Sequence, residues 1–375
     1  MINSRSWPQP EKNMIPIMEP WLTGSELSKL SEVASSGWIG SQGPGVLEFE
    51  EALSSYLNQP TLSVANGSVA LVLALTALDI GSGDEVIVPD FTYAAVASSV
   101  IHVGAIPVFA DINPKSWQTT LNLMLTLFSL KTKAVIIPHS YGTAANIQEI
   151  LDFCHAKGIA VIEDSSESFT GSIEGRKLGT FGDVGTFSFF PNKLITTGEG
   201  GAVTTNKPEL LQRMKLLRGQ GMDPAHRYWF LEPGFNFRMS SLHASIGFAQ
   251  LARLDEIHRK RMEVEERYLH HLGSWVDVPI SDIDSIRAPW IFSATIKDAK
   301  QEDIWNIASE LANIGIESRP LFYQLSSMPA FSRFSISANL VSREISNKGI
   351  SLPSSHRITT EDILTISEVF RKVLT

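Results

Sequence analysis

Lys193 stands in the run Gly185-Thr-Phe-Ser-Phe-Phe-Pro-Asn-Lys193-Leu-Ile-Thr-Thr-Gly-Glu-Gly-Gly201, where an apolar, aromatic strand delivers one ammonium into a glycine-rich turn. Burial among uncharged neighbours disfavours the charged form and lowers an amine's pKa, which is what a Schiff-base lysine requires. Upstream, Ala160-Val-Ile-Glu-Asp164 reads as a short buried strand ending in a carboxylate. A lysine to hold an aldehyde and an aspartate to hold a pyridinium nitrogen is the pairing expected of a pyridoxal 5′-phosphate (PLP) enzyme. Taken singly, a lysine such as Lys193 is most often a solvated loop residue and an aspartate such as Asp164 a helix cap.

A phosphate site completes the constellation. Val64-Ala-Asn-Gly67-Ser68-Val-Ala-Leu reads as a strand, a tight turn and the start of a helix over 68–78. Gly67 lets the backbone approach an anion, the first helical amides aim their dipole at it, and Ser68 adds a hydroxyl. Asn-Gly-Ser is also a common helix entry, so this turn alone leaves both readings open. Ser188, at the end of the strand before Lys193, is a second phosphate donor. Tyr93, opening the helix after Pro89-Asp-Phe-Thr, is suited to stack on a flat ring or to serve as an ordinary core aromatic. Gly179-Thr-Phe-Gly182-Asp-Val-Gly185 matches the dinucleotide fingerprint poorly and precedes a strand rather than a helix, which argues against a dinucleotide oxidoreductase.

The elements that must position these groups follow from patterning. Thr23 caps a helical stretch through Ala34, and Gly45–Leu57 forms another helix. Short apolar runs then alternate with helix-compatible stretches: Thr61–Ala65, Glu85–Val88, Ile106–Ala110, Ala134–Pro138, Ala160–Glu163, Val184–Phe189 and Gly201–Thr204. That alternation predicts an α/β fold with a mostly parallel sheet covered by helices. Residues 1–20 read as an arm, Ser241–Leu272 as one long charged helix, and the remainder as strands (290–296, 316–318) mixed with helices (302–314, 360–374). A boundary near residue 250 divides a large α/β domain, 1–250, from a small C-terminal α+β domain, 251–375.

At 375 residues with 43% apolar and 19% charged content, the chain has globular composition and room for about two domains. A net charge of −9 argues against general nucleic-acid affinity. Cys154, the single cysteine, permits no internal disulfide and falls on the predicted helix 147–157 as a packing residue. No basic-then-apolar leader opens the chain, and runs such as Val69–Ile80 are too short and amphipathic to span a bilayer. The cytoplasm is the expected compartment, with no membrane or nucleic-acid partner and no metal site.

Asn66-Gly-Ser-Val-Ala-Leu, Gly81-Ser-Gly-Asp-Glu-Val-Ile-Val-Pro, Val161-Ile-Glu-Asp-Ser-Ser-Glu, Phe187-Ser-Phe-Phe-Pro-Asn-Lys and Thr197-Gly-Glu-Gly-Gly resemble the sugar aminotransferases of the DegT/DnrJ/EryC1/StrS family. Ile15-Pro, Gly37-Trp-Ile-Gly-Ser and Ser351-Leu-Pro-Ser-Ser extend the resemblance nearly end to end. Gly221-Met-Asp-Pro, Arg227-Tyr-Trp, Gly234-Phe-Asn-Phe-Arg-Met and Glu317-Ser-Arg-Pro-Leu-Phe-Tyr look most like the perosamine synthase branch. Ordered motifs at family spacing weigh more than any one alone.

The resemblance implies a fold-type-I PLP enzyme, a homodimer with active sites at the subunit interface. It assigns Lys193 to the cofactor's aldehyde, Asp164 to the ring nitrogen, Tyr93 to ring stacking, and Gly67, Ser68 and Ser188 to phosphate. Asn236 resembles the residue that reaches the phosphate of the partner subunit, and Glu167 stands near the ring hydroxyl, where the wider family carries Gln. Ser68 replaces the usual Thr, and Gln324-Leu-Ser-Ser stands where perosamine-like members carry a histidine. The implied reaction moves nitrogen from glutamate to a keto-sugar, a nucleotide-linked 4-keto-6-deoxy sugar above others, for surface polysaccharide or O-antigen biosynthesis. Dehydratases of the fold put His at the lysine position, and this chain keeps Lys. Intact Lys193, Asp164 and Tyr93 argue against a PLP-binding protein without turnover. Arg227, Arg238 and Arg319 suit a nucleotide diphosphate, which guanidinium forks bind bidentately, or else surface and domain contacts. Tyr228 and Trp229 suit a base or sugar, or else order their own loop. The sequence leaves open GDP against UDP, and a nucleotide-linked against a free octulosonate-type sugar.

Overall fold

A computed structural model describes residues 7–11, 14–335 and 338–375, so the expected N-terminal arm lies partly outside the described residues. The chain enters through α1 (Gly24–Ser36) and α2 (Pro44–Leu57). Ahead of α1, the Thr23 N–H donates to Glu26 Oε2 at 2.7 Å, closing the first turn. Strands and helices then alternate: β1 (Thr61–Val64), α3 (Gly67–Ala77), β2 (Glu85–Pro89), α4 (Ala95–His102), β3 (Ile106–Ala110), α5 (Leu121–Met124), β4 (Thr132–Pro138), α6 (Ile147–Ala156) and β5 (Ala160–Asp164). A short hairpin, β6 (Ser172–Ile173) and β7 (Arg176–Lys177), precedes β8 (Val184–Ser188), β9 (Gly201–Thr204) and α7 (Pro208–Arg218).

One sheet gathers seven of these strands in the order β1-β9-β8-β5-β4-β2-β3. Neighbours from β8 through β3 pair in parallel, while β9 runs antiparallel to both β1 and β8. Parallel strands need both faces covered, and β2 shows how that is met. Val86 and Val88 pack with Leu71 of α3, Val96 of α4 and Met214 of α7. Ile87 faces the opposite layer with Ile137 and Ile150 of α6. Cys154 is buried in that second layer, and burial pushes its thiol up to about 11. It packs rather than reacts.

The stretch predicted as one helix over 241–272 is two, α8 (Ser241–Ala252) and α9 (Leu254–Leu272), broken at Arg253. Arg253 donates to Glu26 Oε1 at 2.9 Å and Thr23 Oγ1 at 3.1 Å, tying the joint to the start of α1. The core changes hands along α9. Leu254 and Ile257 pack with Phe49 and Phe187 beside the large sheet, whereas Val264, Tyr268 and Leu272 pack with Phe292, Ile307 and Phe370.

That second core lies under a smaller antiparallel sheet. Its contributors are β10 (Val276–Asp277), β12 (Phe292–Ile296), α10 (Gln301–Asn313), β13 (Arg319–Pro320), β14 (Gly349–Leu352) and α12 (Thr360–Leu374), with sheet order β10-β12-β14-β13. Between them, β11 (Ser285–Ile286) pairs with β6, and α11 (Leu340–Lys348) precedes β14. The strand predicted over 316–318 falls instead at 319–320, because Ile316 makes only a single bridge to Ile15. Trp290 and Ile291 leave the strand predicted from 290 and join a cluster with Phe91 and Tyr141. Among the described residues, no helix is long and apolar enough to cross a membrane.

Candidate active site

A cleft of about 1000 Å³ opens along the carboxyl edge of the large sheet, the edge where open α/β sheets bind ligands. Lys193 lines it from the loop after β8, which is folded back on itself. The Phe189 N–H donates to Gly200 O at 2.8 Å, Thr197 N–H to Phe189 O at 3.0 Å, and Lys193 N–H to Phe190 O at 2.9 Å. Glu167 Oε1 lies 3.8 Å from Lys193 Nζ, and the Trp290 ring centre lies 4.3 Å away. Burial pushes the Lys193 amine below the ordinary lysine value, outweighing the pull of Glu167 and Asp164. Burial likewise pushes Glu167 up to about 7, against the opposing pull of Lys193 and of the Tyr141 N–H that donates to it at 2.8 Å.

Asp164 closes β5 and is 9% exposed. Its Oδ1 accepts the Ser166 N–H at 3.1 Å, the Ser166 hydroxyl at 2.5 Å and the Thr186 hydroxyl at 3.4 Å. Its Oδ2 has no partner among the described residues. Behind it, buried Glu163 accepts N–H groups from Gly179 at 2.8 Å, Phe181 at 2.6 Å and Gly182 at 2.6 Å, and meets His139 Nε2 at 2.9 Å. The His139 N–H donates to Asp164 O at 3.0 Å. Two glycines of the 179–185 run thus serve a carboxylate that anchors the end of β5.

Asn66 caps α3, its Oδ1 accepting the Val69 N–H at 3.0 Å. This leaves the Gly67 and Ser68 amides without a protein partner among the described residues, at a positive helix end. A Cβ on Gly67 would stand 2.8 Å from Ser188 Cβ, so the turn and the end of β8 form a cradle closed to a side chain. Tyr93 precedes α4 rather than opening it; it is 61% exposed, and its ring borders the cleft. Two free amides over a cradle, a carboxylate oxygen without a partner and a buried amine all fit PLP.

The structure brings Gly67, Ser68, Tyr93, Asp164, Glu167, Ser188, Lys193 and Arg319 to this cleft. Arg319 donates to Glu317 at 2.9 Å. Asn236, Arg227, Tyr228, Trp229 and Arg238 do not line the cleft among the described residues. Asn236 is exposed and bridges Gly219 through its backbone, while Tyr228 and Trp229 are 73% and 65% exposed. Arg238 is half-buried, its Nε without a hydrogen-bond partner among the described residues. Sequence reasoning missed Trp290, whose ring lies over the amine, and Tyr141 and Phe322, which pack beside it along the cleft. The Trp290 indole donates to Asn192 O at 2.8 Å, and Phe322 N–H donates to the Tyr141 hydroxyl at 2.8 Å. Tyr141 takes a left-handed φ of 55°, which its sequence context does not advertise. A signal for Glu163 did exist, a second carboxylate in the buried run Val-Ile-Glu-Asp.

Comparison with known proteins bears directly on this geometry. Residues 21–371 match the DegT/DnrJ/EryC1/StrS aminotransferase family. A protein named GDP-perosamine synthase from Caulobacter vibrioides is 37% identical over 96% of this chain and 98% of its own. Another so named, from Vibrio cholerae, is 39% identical over 91% of this chain and 94% of its own. Among solved structures, the putative sugar aminotransferase Spr1654 from Streptococcus pneumoniae in its PMP form superposes with a TM-score of 0.89 at 27% identity, covering 96% of this chain and 98% of its own. The same protein has been solved in a PLP form. The large sheet with its smaller C-terminal unit is therefore the PLP aminotransferase architecture that the sequence predicts. The chain belongs to the DegT/DnrJ/EryC1/StrS aminotransferase family and is a PLP-dependent sugar aminotransferase.

Proposed function

We propose that this enzyme passes the amino group of glutamate to the keto carbon of a nucleotide-linked 4-keto-6-deoxy sugar, with Lys193 and Asp164 as its catalytic pair. The observation that carries the substrate reading is near full-length similarity to proteins named GDP-perosamine synthase. The cleft, at about 1000 Å³, has room for a nucleotide-linked sugar beside a cofactor. A relative from Bacillus subtilis named for spore coat polysaccharide biosynthesis, 34% identical over 69% of this chain, supports a role in surface polysaccharide.

When bound, PLP supplies an electron sink beside the carbon that loses or gains nitrogen. The chain's own residues do the rest. The Gly67 and Ser68 amides, with the Ser68 and Ser188 hydroxyls, hold the phosphate, and Tyr93 stacks on the ring. Asp164 Oδ2 would accept the pyridinium N–H in a charge-assisted bond, and Glu167 would serve the ring hydroxyl. Lys193 Nζ would hold the cofactor's aldehyde, and as a free amine it would serve as the base that takes the proton from the donor's Cα and as the acid that supplies one to the sugar carbon. Its lowered pKa frees the amine for that work. Trp290, over the amine, keeps water from it.

Exposed Asn236, Tyr228 and Trp229 favour a homodimer in which each subunit lends Asn236 to its partner's phosphate site. Arg227, Tyr228, Trp229, Arg238 and Arg319 are assigned to the nucleotide diphosphate and sugar. The reading also includes a large domain, 1–250, a small domain, 251–375, and a cytoplasmic enzyme without membrane or nucleic-acid partners. The separate buried cores on either side of α9 support that division. A second reading, another keto-sugar whether UDP-linked or of free octulosonate type, is favoured by Gln324, which is buried in a protein network. Isotope-labelled glutamate offered with GDP-, UDP- and dTDP-linked keto-sugars and a free octulosonate tests this. Label in the GDP-linked product above all others is expected. Label in another sugar replaces the first reading with the second, and label in none leaves a PLP-binding protein without turnover on these substrates.

A further inference from the structure

Beyond β13, the segment 321–328 forms one wall of the cleft through Leu321, Phe322, Tyr323, Leu325 and Met328. Its only regular structure is a single 3₁₀ turn over Leu325–Ser327, too little to fix its path. Asp90 fixes it. This residue follows β2 directly, is fully buried, and stands three positions before Tyr93. Its Oδ1 accepts the Ser326 N–H at 2.6 Å. Its Oδ2 accepts the Ser326 hydroxyl at 2.6 Å, Gln324 Nε2 at 3.0 Å and Asn339 Nδ2 at 2.7 Å. The Leu325 N–H donates to the Asp90 carbonyl at 2.8 Å. Gln324, Ser326 and Asn339 are all buried, so these bonds form away from competing water. Among the described residues no lysine or arginine pairs with this carboxylate, and its bonds go to one segment and its continuation.

Chemistry sorts what such a wall can recognise. The amino donor is a small, charged amino acid whose carboxylates need cationic or N–H partners. The stretch from Leu321 to Met328 turns mostly apolar and aromatic side chains to the cleft, with no lysine or arginine in it. A nucleotide-linked 6-deoxy sugar is bulkier, and although its diphosphate needs cationic or N–H partners elsewhere, its C6 methyl and the faces of its sugar and base offer non-polar surface that such a wall can pack against. We propose that Asp90, acting through Gln324 and Ser326, is a positioning residue for the keto-sugar acceptor, holding the 321–328 wall opposite Tyr93. This rests on the reading of the cleft as the seat of a nucleotide-linked keto-sugar.

The test uses full-length Asp90→Asn, nearly isosteric, and Ser326→Ala, which removes one donor and keeps the backbone bond. Without cofactor or substrate, amide hydrogen exchange over 321–328 should quicken about tenfold or more in Asp90→Asn, while peptides over 160–165 and 184–190 keep their protection. In the PLP-loaded enzyme, the half-reaction with glutamate, followed by cofactor absorbance, should stay within about twofold of wild type. The KM for a GDP-linked 4-keto-6-deoxy sugar should rise about tenfold or more, with Ser326→Ala shifted in the same direction by less. Unchanged exchange over 321–328, an unchanged acceptor KM, or equal losses in both half-reactions would overturn the proposal. If wild type rejects the GDP-linked sugar, the substrate reading fails separately, and the same comparison is made with whichever UDP- or dTDP-linked keto-sugar it accepts. Should wild type accept none, the proposal falls with that reading.

Discussion

Glu167 and Lys193 stand 3.8 Å apart with opposite formal charges, yet burial drives both toward their neutral forms. Glu167 titrates at about 7 in the folded chain against 4.5 for a free glutamate, so between those values the native state holds a proton that the unfolded chain has released. Its contribution to stability is therefore complete below the lower value and is lost as pH rises through the upper one. Glu167→Gln removes this loss. Melting of the cofactor-free protein between about pH 5 and pH 8 should show the variant gaining on wild type by several degrees as pH rises. A constant difference would mean that Glu167 does not titrate in that window. At Asp164, replacement by Asn keeps the shape but removes the charge that holds a pyridinium proton. We expect kcat to fall roughly a hundredfold or more, about 2.7 kcal/mol, with little change in melting. A loss within about threefold would release Asp164 from that role. Asp164 was legible because it ends a buried apolar strand, and Lys193 because it enters a glycine-rich turn beyond another. Trp290, Tyr141 and Phe322 were not, since an aromatic that walls a cleft has the same local signature as one in a core.

The strands of the large sheet stood out in the sequence for a physical reason: buried on both faces, they read as unbroken apolar runs between turn residues. Where tertiary contacts override local pattern, the text misled. The charged periodicity of 241–272 runs through Arg253, where the helix breaks and the side chain reaches Glu26 and Thr23, contacts distant in sequence. The cradle between α3 and β8 was half legible, through Gly67 and Ser188 separately, but their juxtaposition, which would leave a Cβ at 67 only 2.8 Å from Ser188 Cβ, is a tertiary contact. Gly67→Ala tests the cradle. Alanine improves a helix's first turn by up to about 1 kcal/mol, so melting alone does not isolate the clash. Titration with PLP does, and affinity should fall about tenfold. Undiminished affinity would show that the phosphate does not rest there.

Across the whole molecule, the cleft draws on α3, β5, β8 and β13, yet Asn236 faces solvent outside it. If each subunit lends Asn236 to its neighbour, two inactive variants, Lys193→Ala and Asn236→Asp, should complement in mixed dimers. A carboxylate at position 236 repels the partner's phosphate, while one site of each hybrid carries neither change. Activity recovered to roughly a quarter of wild type is expected for random exchange of subunits with independent sites. No recovery despite confirmed exchange would confine Asn236 to its own subunit or exclude it from the site. The catalytic expectations at Asp164 and Asn236 presuppose one bond between cofactor and chain. The measurement that reaches it most directly is borohydride reduction of the PLP-loaded enzyme, followed by mass mapping of its peptides. The account predicts the reduced cofactor fixed on Lys193 and no label in Lys193→Ala treated alike. Label on a different lysine of the wild-type enzyme, or none, would contradict it.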